Sequence, residues 1–115
     1  IFDKLVTNEA PGIVLQFSDW VRSGQIRSVD RSFSYTDNLA MVTVPAIFIS
    51  GVHDLMAPAK GTERQMKRLG SKLVKQVVLS KKNGFTTDYG HGDLVLGKNS
   101  PREVYPLVSD WFESV

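Results

Sequence analysis

Val44-Pro45-Ala46-Ile47-Phe48-Ile49-Ser50-Gly51-Val52-His53-Asp54 is the stretch whose reading decides the fold class. After Pro45 the residues Ala46 to Ile49 are apolar without alternation, and Ser50 and Gly51 stop the run. Unbroken hydrophobicity over so short a length predicts a strand covered on both faces, as in a parallel sheet. Beyond the loop His53–Pro58, residues 60–69 predict a helix. Glu63 and Lys67 have the favourable four-residue spacing, Met66 and Leu69 face inward, and Gly70 ends it. Leu73–Leu79 predicts a second strand whose buried end is Val77, Val78 and Leu79. Strand, helix and strand with short connections make a βαβ unit, right-handed in nearly all known cases. The class is α/β.

Outward from this unit the pattern changes. Upstream, Pro11-Gly12 opens a segment with Ile13, Val14, Phe17, Trp20 and Val21 at helical spacing. Pro11 suits a first turn, and Gly24 suits the left-handed residue that ends a helix, so a helix is expected over 12–23. Its Phe17/Trp20 stripe should face something apolar. Residues 25–43, rich in Ser, Asp and Asn, predict loop with short pieces of structure. Downstream, 81–99 reads as a loop with Lys81-Lys82 and Gly84, Gly90, Gly92 and Gly97, mobile in character. A last helix begins near Pro101, with Ser100 and Glu103 spaced as a capping box. Val104, Leu107, Val108, Trp111, Phe112 and Val115 share one stripe of it. Pro106 is discordant, because a mid-helix proline costs about 3 kcal/mol. A start near Tyr105 would put Pro106 in the first turn.

The chain has 115 residues, enough for one modest core. Hydrophobic residues make up 42% and charged residues 23%, which excludes disorder, collagen-like repeats and a coiled coil. No apolar stretch approaches the roughly 18 residues of a membrane span, and no basic-then-apolar leader opens the chain. The absence of cysteine excludes disulfides, thiolate zinc sites and a cysteine nucleophile. Net charge is +2 with basic residues spread from Lys4 to Arg102, the pattern of a solvated face and not of a nucleic-acid patch. The first residue is Ile1, which reads as a processed product, a trimmed piece or a fragment. Two strands covered on both faces cannot make a whole parallel sheet, and the helices carry more apolar stripe than two strands can cover. A part of a larger fold is expected.

Two residues stand where chemistry gathers. Asp54 follows the first strand; His91, in Tyr89-Gly90-His91-Gly92-Asp93, follows the second. In open α/β sheets functional groups collect beyond the carboxyl ends of strands. A carboxylate there can fix an imidazole in one tautomer, and the imidazole can serve as general base to a hydroxyl nucleophile. Taken alone, an Asp after a strand is often a turn or helix cap, and a His between glycines an exposed loop residue. The ordered pair, each after its own strand, is what points to chemistry. His53 is expected to point away from Asp54. Asp88, His91 and Asp93 make only a weak metal signal, so no metal and no cofactor is expected. Asp93 should instead bond backbone N–H groups of the loop that presents His91. Phe17, Trp20 and Met56 could line a cleft but are expected to pack. No Gly-x-Ser-x-Gly, phosphate loop or Gly-x-Gly-x-x-Gly occurs. An acid and a base without a nucleophile cannot run covalent acyl transfer.

From Val44 onward the chain resembles the last part of an α/β-hydrolase, in the lipase/esterase branch related to acid lipases. Val44 to Pro58 is similar to the strand and loop that deliver the triad aspartate. Asp88-Tyr89-Gly90-His91-Gly92-Asp93-Leu94 is similar to the loop that delivers the triad histidine. Asn99-Ser100-Pro101-Arg102-Glu103-Val104-Tyr105-Pro106 looks like the start of the closing helix, and Phe17–Gly24 resembles a cap-region helix.

The resemblance implies the last two parallel strands of that fold with flanking helices, plus part of a helical cap. Residues 1–43 would be the cap-region helix and its connecting loop, and residues 44–115 the C-terminal βαβα part of the core. It implies Asp54 as triad acid and His91 as triad base, in the family's order of Ser, Asp, His. The serine, the oxyanion loop and the earlier strands would precede Ile1, so the chain alone should be inactive. Gly92 departs from the family, whose lipases carry a bulky apolar residue after the histidine, so the local pocket should differ. The substrate would be a small-molecule or lipid-like ester. The missing N-terminal core or a second copy of the chain would cover the sheet. Lack of cysteine suits a cytoplasmic enzyme better than a secreted lipase. Two other readings stand beside this one: a non-catalytic, dimerising interaction module, and an epoxide hydrolase or dehalogenase relative with an Asp nucleophile upstream.

Overall fold

The computed structural model describes residues 10–115. The expected cap region therefore has its first nine residues outside the described part. The chain divides into two compact units with the boundary between Leu39 and Ala40. The expected boundary, between 43 and 44, falls slightly late. Gly70 accounts for the difference: a Cβ there would collide with the Ala40 carbonyl oxygen, so the Ala40–Thr43 segment packs within the second unit.

In the first unit, α1 spans Pro11–Ser23 and ends at Gly24 with φ 68°, as its proline and glycine require. The Trp20 indole N–H donates to the Arg27 carbonyl at 2.8 Å, which folds the following loop back on the helix. Asp19 receives the Arg27 guanidinium on both oxygens, at 2.7 and 2.8 Å, and Arg31 at 3.1 Å. The loop 25–38 closes through one antiparallel bridge, Arg27 with Ser34. Phe17 is exposed and does not pack as expected.

The second unit is a small α/β domain. β1 (Ala46–Gly51) and β2 (Val74–Leu79) pair in parallel, from Ala46 opposite Val74 to Gly51 opposite Leu79. Because the register is in step, both strands finish at one level and their loops emerge side by side. Between them α2 (Ala59–Met66) packs on both strands. It is shorter than the expected 60–69. The Lys67 N–H still donates to Glu63, but Arg68 and Leu69 tighten into i→i+3 bonds to Gln65 and Met66, and Gly70 is no left-handed cap; among the described glycines only Gly24 and Gly84 have positive φ. The Glu63–Lys67 pair forms, at 2.8 Å.

After β2 the expected loop contains two helical turns, one at Lys81–Asn83 and α3 at Asp93–Leu96. The last helix is split into α4 (Ser100–Glu103) and α5 (Tyr105–Ser114) at Val104, and Pro106 lies in the first turn of α5, where it lacks no bond. The capping box does not form. Ser100 Oγ donates to the Asp93 carbonyl, and Glu103 reaches back to residues 86 and 89.

The core is Leu79, Tyr89 and Val104, with Ile49, Val77, Phe85, Leu94 and Leu107 packed partly against it. The expectation of strands covered on both faces is met only at their ends: Ala46 to Ile49 are half-buried, while Ser50 and Gly51 are buried. Two strands alone cannot enclose themselves. No helix among the described residues is long and apolar enough to cross a membrane.

Candidate functional site

The two strand ends build the site from backbone outward. The Val52 N–H donates to the Leu79 carbonyl at 3.2 Å, and the His53 N–H to the Tyr89 carbonyl at 2.9 Å. These bonds lay the loop after β1 against the loop after β2. The approach is so close that a Cβ on Gly51 would overlap the Tyr89 carbonyl. The chain then turns, with the Asp54 N–H donating to the Gly51 carbonyl at 3.2 Å, and the turn aims the Asp54 carboxylate inward.

The second loop is fastened along its length. The Ser80 hydroxyl accepts the Asn83 N–H at 3.2 Å, and the Asn83 amide donates to the Val78 carbonyl at 2.7 Å. The Lys81 N–H donates to Asp88 at 2.8 Å. Glycine is needed at 84, where φ is 90°. The segment expected to be mobile is thus tied by its own side chains. Asp93 accepts the Gly90 N–H, in the loop that presents His91, at 2.8 Å.

Asp54 and His91 meet, with Nδ1 and Oδ2 2.9 Å apart. The other oxygen of Asp54 accepts the N–H groups of Met56 at 2.9 Å and Ala57 at 2.7 Å. Burial raises the Asp54 carboxyl, but the Ala57 N–H, the His91 ring and the Met56 N–H together outweigh it and hold the group below the ordinary aspartate range. An ionised carboxylate only accepts, so Nδ1 carries a proton, and in the neutral form of the ring the lone pair is on Nε2. Among the described residues Nε2 makes no hydrogen bond, and the His91 side chain is 52% exposed against 2% for Asp54. The arrangement is an imidazole oriented by a buried carboxylate, with its second nitrogen open, and no serine or threonine hydroxyl bonds to it among the described residues.

The remaining expectations divide. His53 is exposed and contributes its backbone N–H alone. Met56 is exposed and does not pack. Asp88 and Asp93 are each turned to a backbone N–H, and among the described residues no cluster of three or more His, Asp and Glu side chains could hold a metal ion. Sequence reasoning missed Tyr89 and Glu103. Tyr89 is fully buried, and its hydroxyl donates to Glu103 Oε2 at 2.5 Å. Burial, then the bond to Glu103 and that residue's charge, push the phenol up to about 12. Comparison with protein families, curated proteins and solved structures gives no match.

Proposed function

We propose that Asp54 and His91 are the acid and base of a Ser-Asp-His triad, in the C-terminal portion of an α/β-hydrolase-fold protein that cleaves carboxylic esters. The observation that carries the reading is the 2.9 Å bond between His91 Nδ1 and Asp54 Oδ2 at the shared carboxyl end of two parallel strands. In this mechanism Nε2 takes the proton of a serine hydroxyl as its oxygen attacks the ester carbonyl. Asp54 stabilises the imidazolium so formed, and His91 gives the proton to the departing alkoxide, which leaves as the alcohol. Water, activated by the same nitrogen, then releases the acid and restores the serine. That serine comes from outside these 115 residues, which contain no Gly-x-Ser-x-Gly.

The chain alone should hydrolyse p-nitrophenyl butyrate no faster than buffer. Joined to the polypeptide encoded before Ile1 it should turn the ester over, and His91→Ala should lower kcat/KM about 10⁴-fold. Activity of the isolated chain that His91→Ala abolishes would place the nucleophile within it. An unaffected rate in the joined His91→Ala protein would remove the triad reading altogether.

A second reading, a non-catalytic interaction module, draws on Leu55 and Met56. They are 91% and 77% exposed beside the pair, a placement that suits a covering surface as well as a substrate.

A further inference from the structure

Behind the Asp54–His91 pair three donors converge on one carboxylate. Glu103 Oε1 accepts the Thr86 N–H at 2.9 Å and also the Thr86 hydroxyl, and Oε2 accepts the Tyr89 hydroxyl. Glu103 therefore grips the segment 86–89 at both ends. Tyr89 in turn serves both halves of the pair. Its carbonyl takes the N–H of His53, the residue before Asp54, and lies against Gly51. Two residues beyond it along the chain is His91. In front of the histidine, Asp93 holds the Gly90 N–H.

We propose that Glu103 is the positioning residue for the Asp54–His91 pair, acting through the buried Tyr89 phenol to fix the backbone from which both side chains are presented. The inference rests on taking that pair as the functional unit. A directional bond at 2.9 Å survives only if ring and carboxylate are held to within about half an ångström. His91 is half out in solvent and cannot be held by packing of its own ring. The carboxylate–phenol bond is of the stronger, charge-assisted kind. Hydrogen bonds from Thr86 and Tyr89 keep Glu103 below the ordinary glutamate range, so at neutral pH the acceptor is charged and the phenol keeps its proton.

The test reads geometry and needs no substrate. In uniformly ¹⁵N-labelled 115-residue chain at mildly alkaline pH, imidazole ¹⁵N shifts report which ring nitrogen carries the proton. His91 should show the Nδ1–H form in the unaltered protein and lose it in Asp54→Ala. Tyr89→Phe, which deletes only the hydroxyl, and Glu103→Gln, which keeps the shape, should each move His91 most of the way to the Asp54→Ala value. His53 should not move, and the far-ultraviolet circular dichroism should stay unchanged. The double variant should be no worse than Glu103→Gln alone. Two folded variants with the unaltered His91 shifts overturn the proposal. So does unfolding of both, since Glu103 would then act on the whole unit, and so does an unaltered protein that matches Asp54→Ala. A failed ester assay would leave a positive result here intact.

Discussion

At position 51 glycine is required by contact and not by dihedral, since its φ is not positive and a side chain would strike the Tyr89 carbonyl. Gly51→Ala should cost about 3 kcal/mol, measured from the urea midpoint, because backbone on both sides must give. Two titrations belong to the same scale. The Asp54 carboxyl is held below its ordinary 3.8, so the folded form binds fewer protons there than the unfolded chain. That contribution is complete above the ordinary value and is lost as pH falls through the folded one. Asp54→Ala, which also leaves the Met56 and Ala57 N–H groups unpaired, should cost about 1–3 kcal/mol at neutral pH and flatten the acid limb of stability against pH. For Tyr89, raised to about 12 from 10, the sign reverses: its contribution is whole below pH 10 and is lost as pH rises through 12. Tyr89→Phe should remove that alkaline limb in a thermal-melt series. Asp54 and His91 were legible because each is a chemically distinctive residue just past a strand end. Glu103 was not. Its three-residue spacing from Ser100 imitates a local cap, while its partners lie 14 and 17 residues back, a separation that no periodicity records.

Among the elements, those whose ends are punctuated by proline or glycine were the readable ones. α1 starts at Pro11 and stops before Gly24, one residue from the expected start. Gly24→Ala should destabilise the helix by about 1 kcal/mol, because alanine resists a φ of 68°, whereas Gly12→Ala, with open space around it, should not. Helix content by circular dichroism during urea unfolding separates the two. The strands were found within one residue because each is a short segment with a continuous apolar run, Ala46–Ile49 in the first and Val77–Leu79 in the second, bounded by Pro45 and Ser80. The split at Val104 was only half visible: Pro106 forced a start near Tyr105, but a separate α4, ending at the Glu103 that binds Tyr89, was not expected. Likewise α2 stops at Met66, three residues short of its apolar pattern, because Gly70 must approach Ala40, which the pattern cannot express.

For the molecule as a whole, the ratio of covered to uncovered apolar side chains is the deciding quantity. Among the described residues the buried apolar core is three side chains, while 22 large hydrophobics are exposed, among them Ile13, Val14 and Leu15 on α1 and Phe112 on α5. Water contact on that scale favours association. Sedimentation should show the isolated chain growing in mass as concentration rises, and a second polypeptide that covers these faces should suppress the growth. A monomer at all concentrations would contradict it. The α/β class was readable from the sequence, whereas the thinness of the core was not, since apolar pattern says what wants cover and not whether cover is supplied. Of the three buried side chains one is Tyr89, the same residue that carries the backbone of the Asp54–His91 pair. Heat that frees the Tyr89 ring from this core therefore takes structure and alignment together, although removal of its hydroxyl alone takes only the alignment. On heating there should be no interval in which the fold persists with the pair parted. The tyrosine near-ultraviolet signal and the Nδ1–H signature of His91 should vanish along a single superimposable curve.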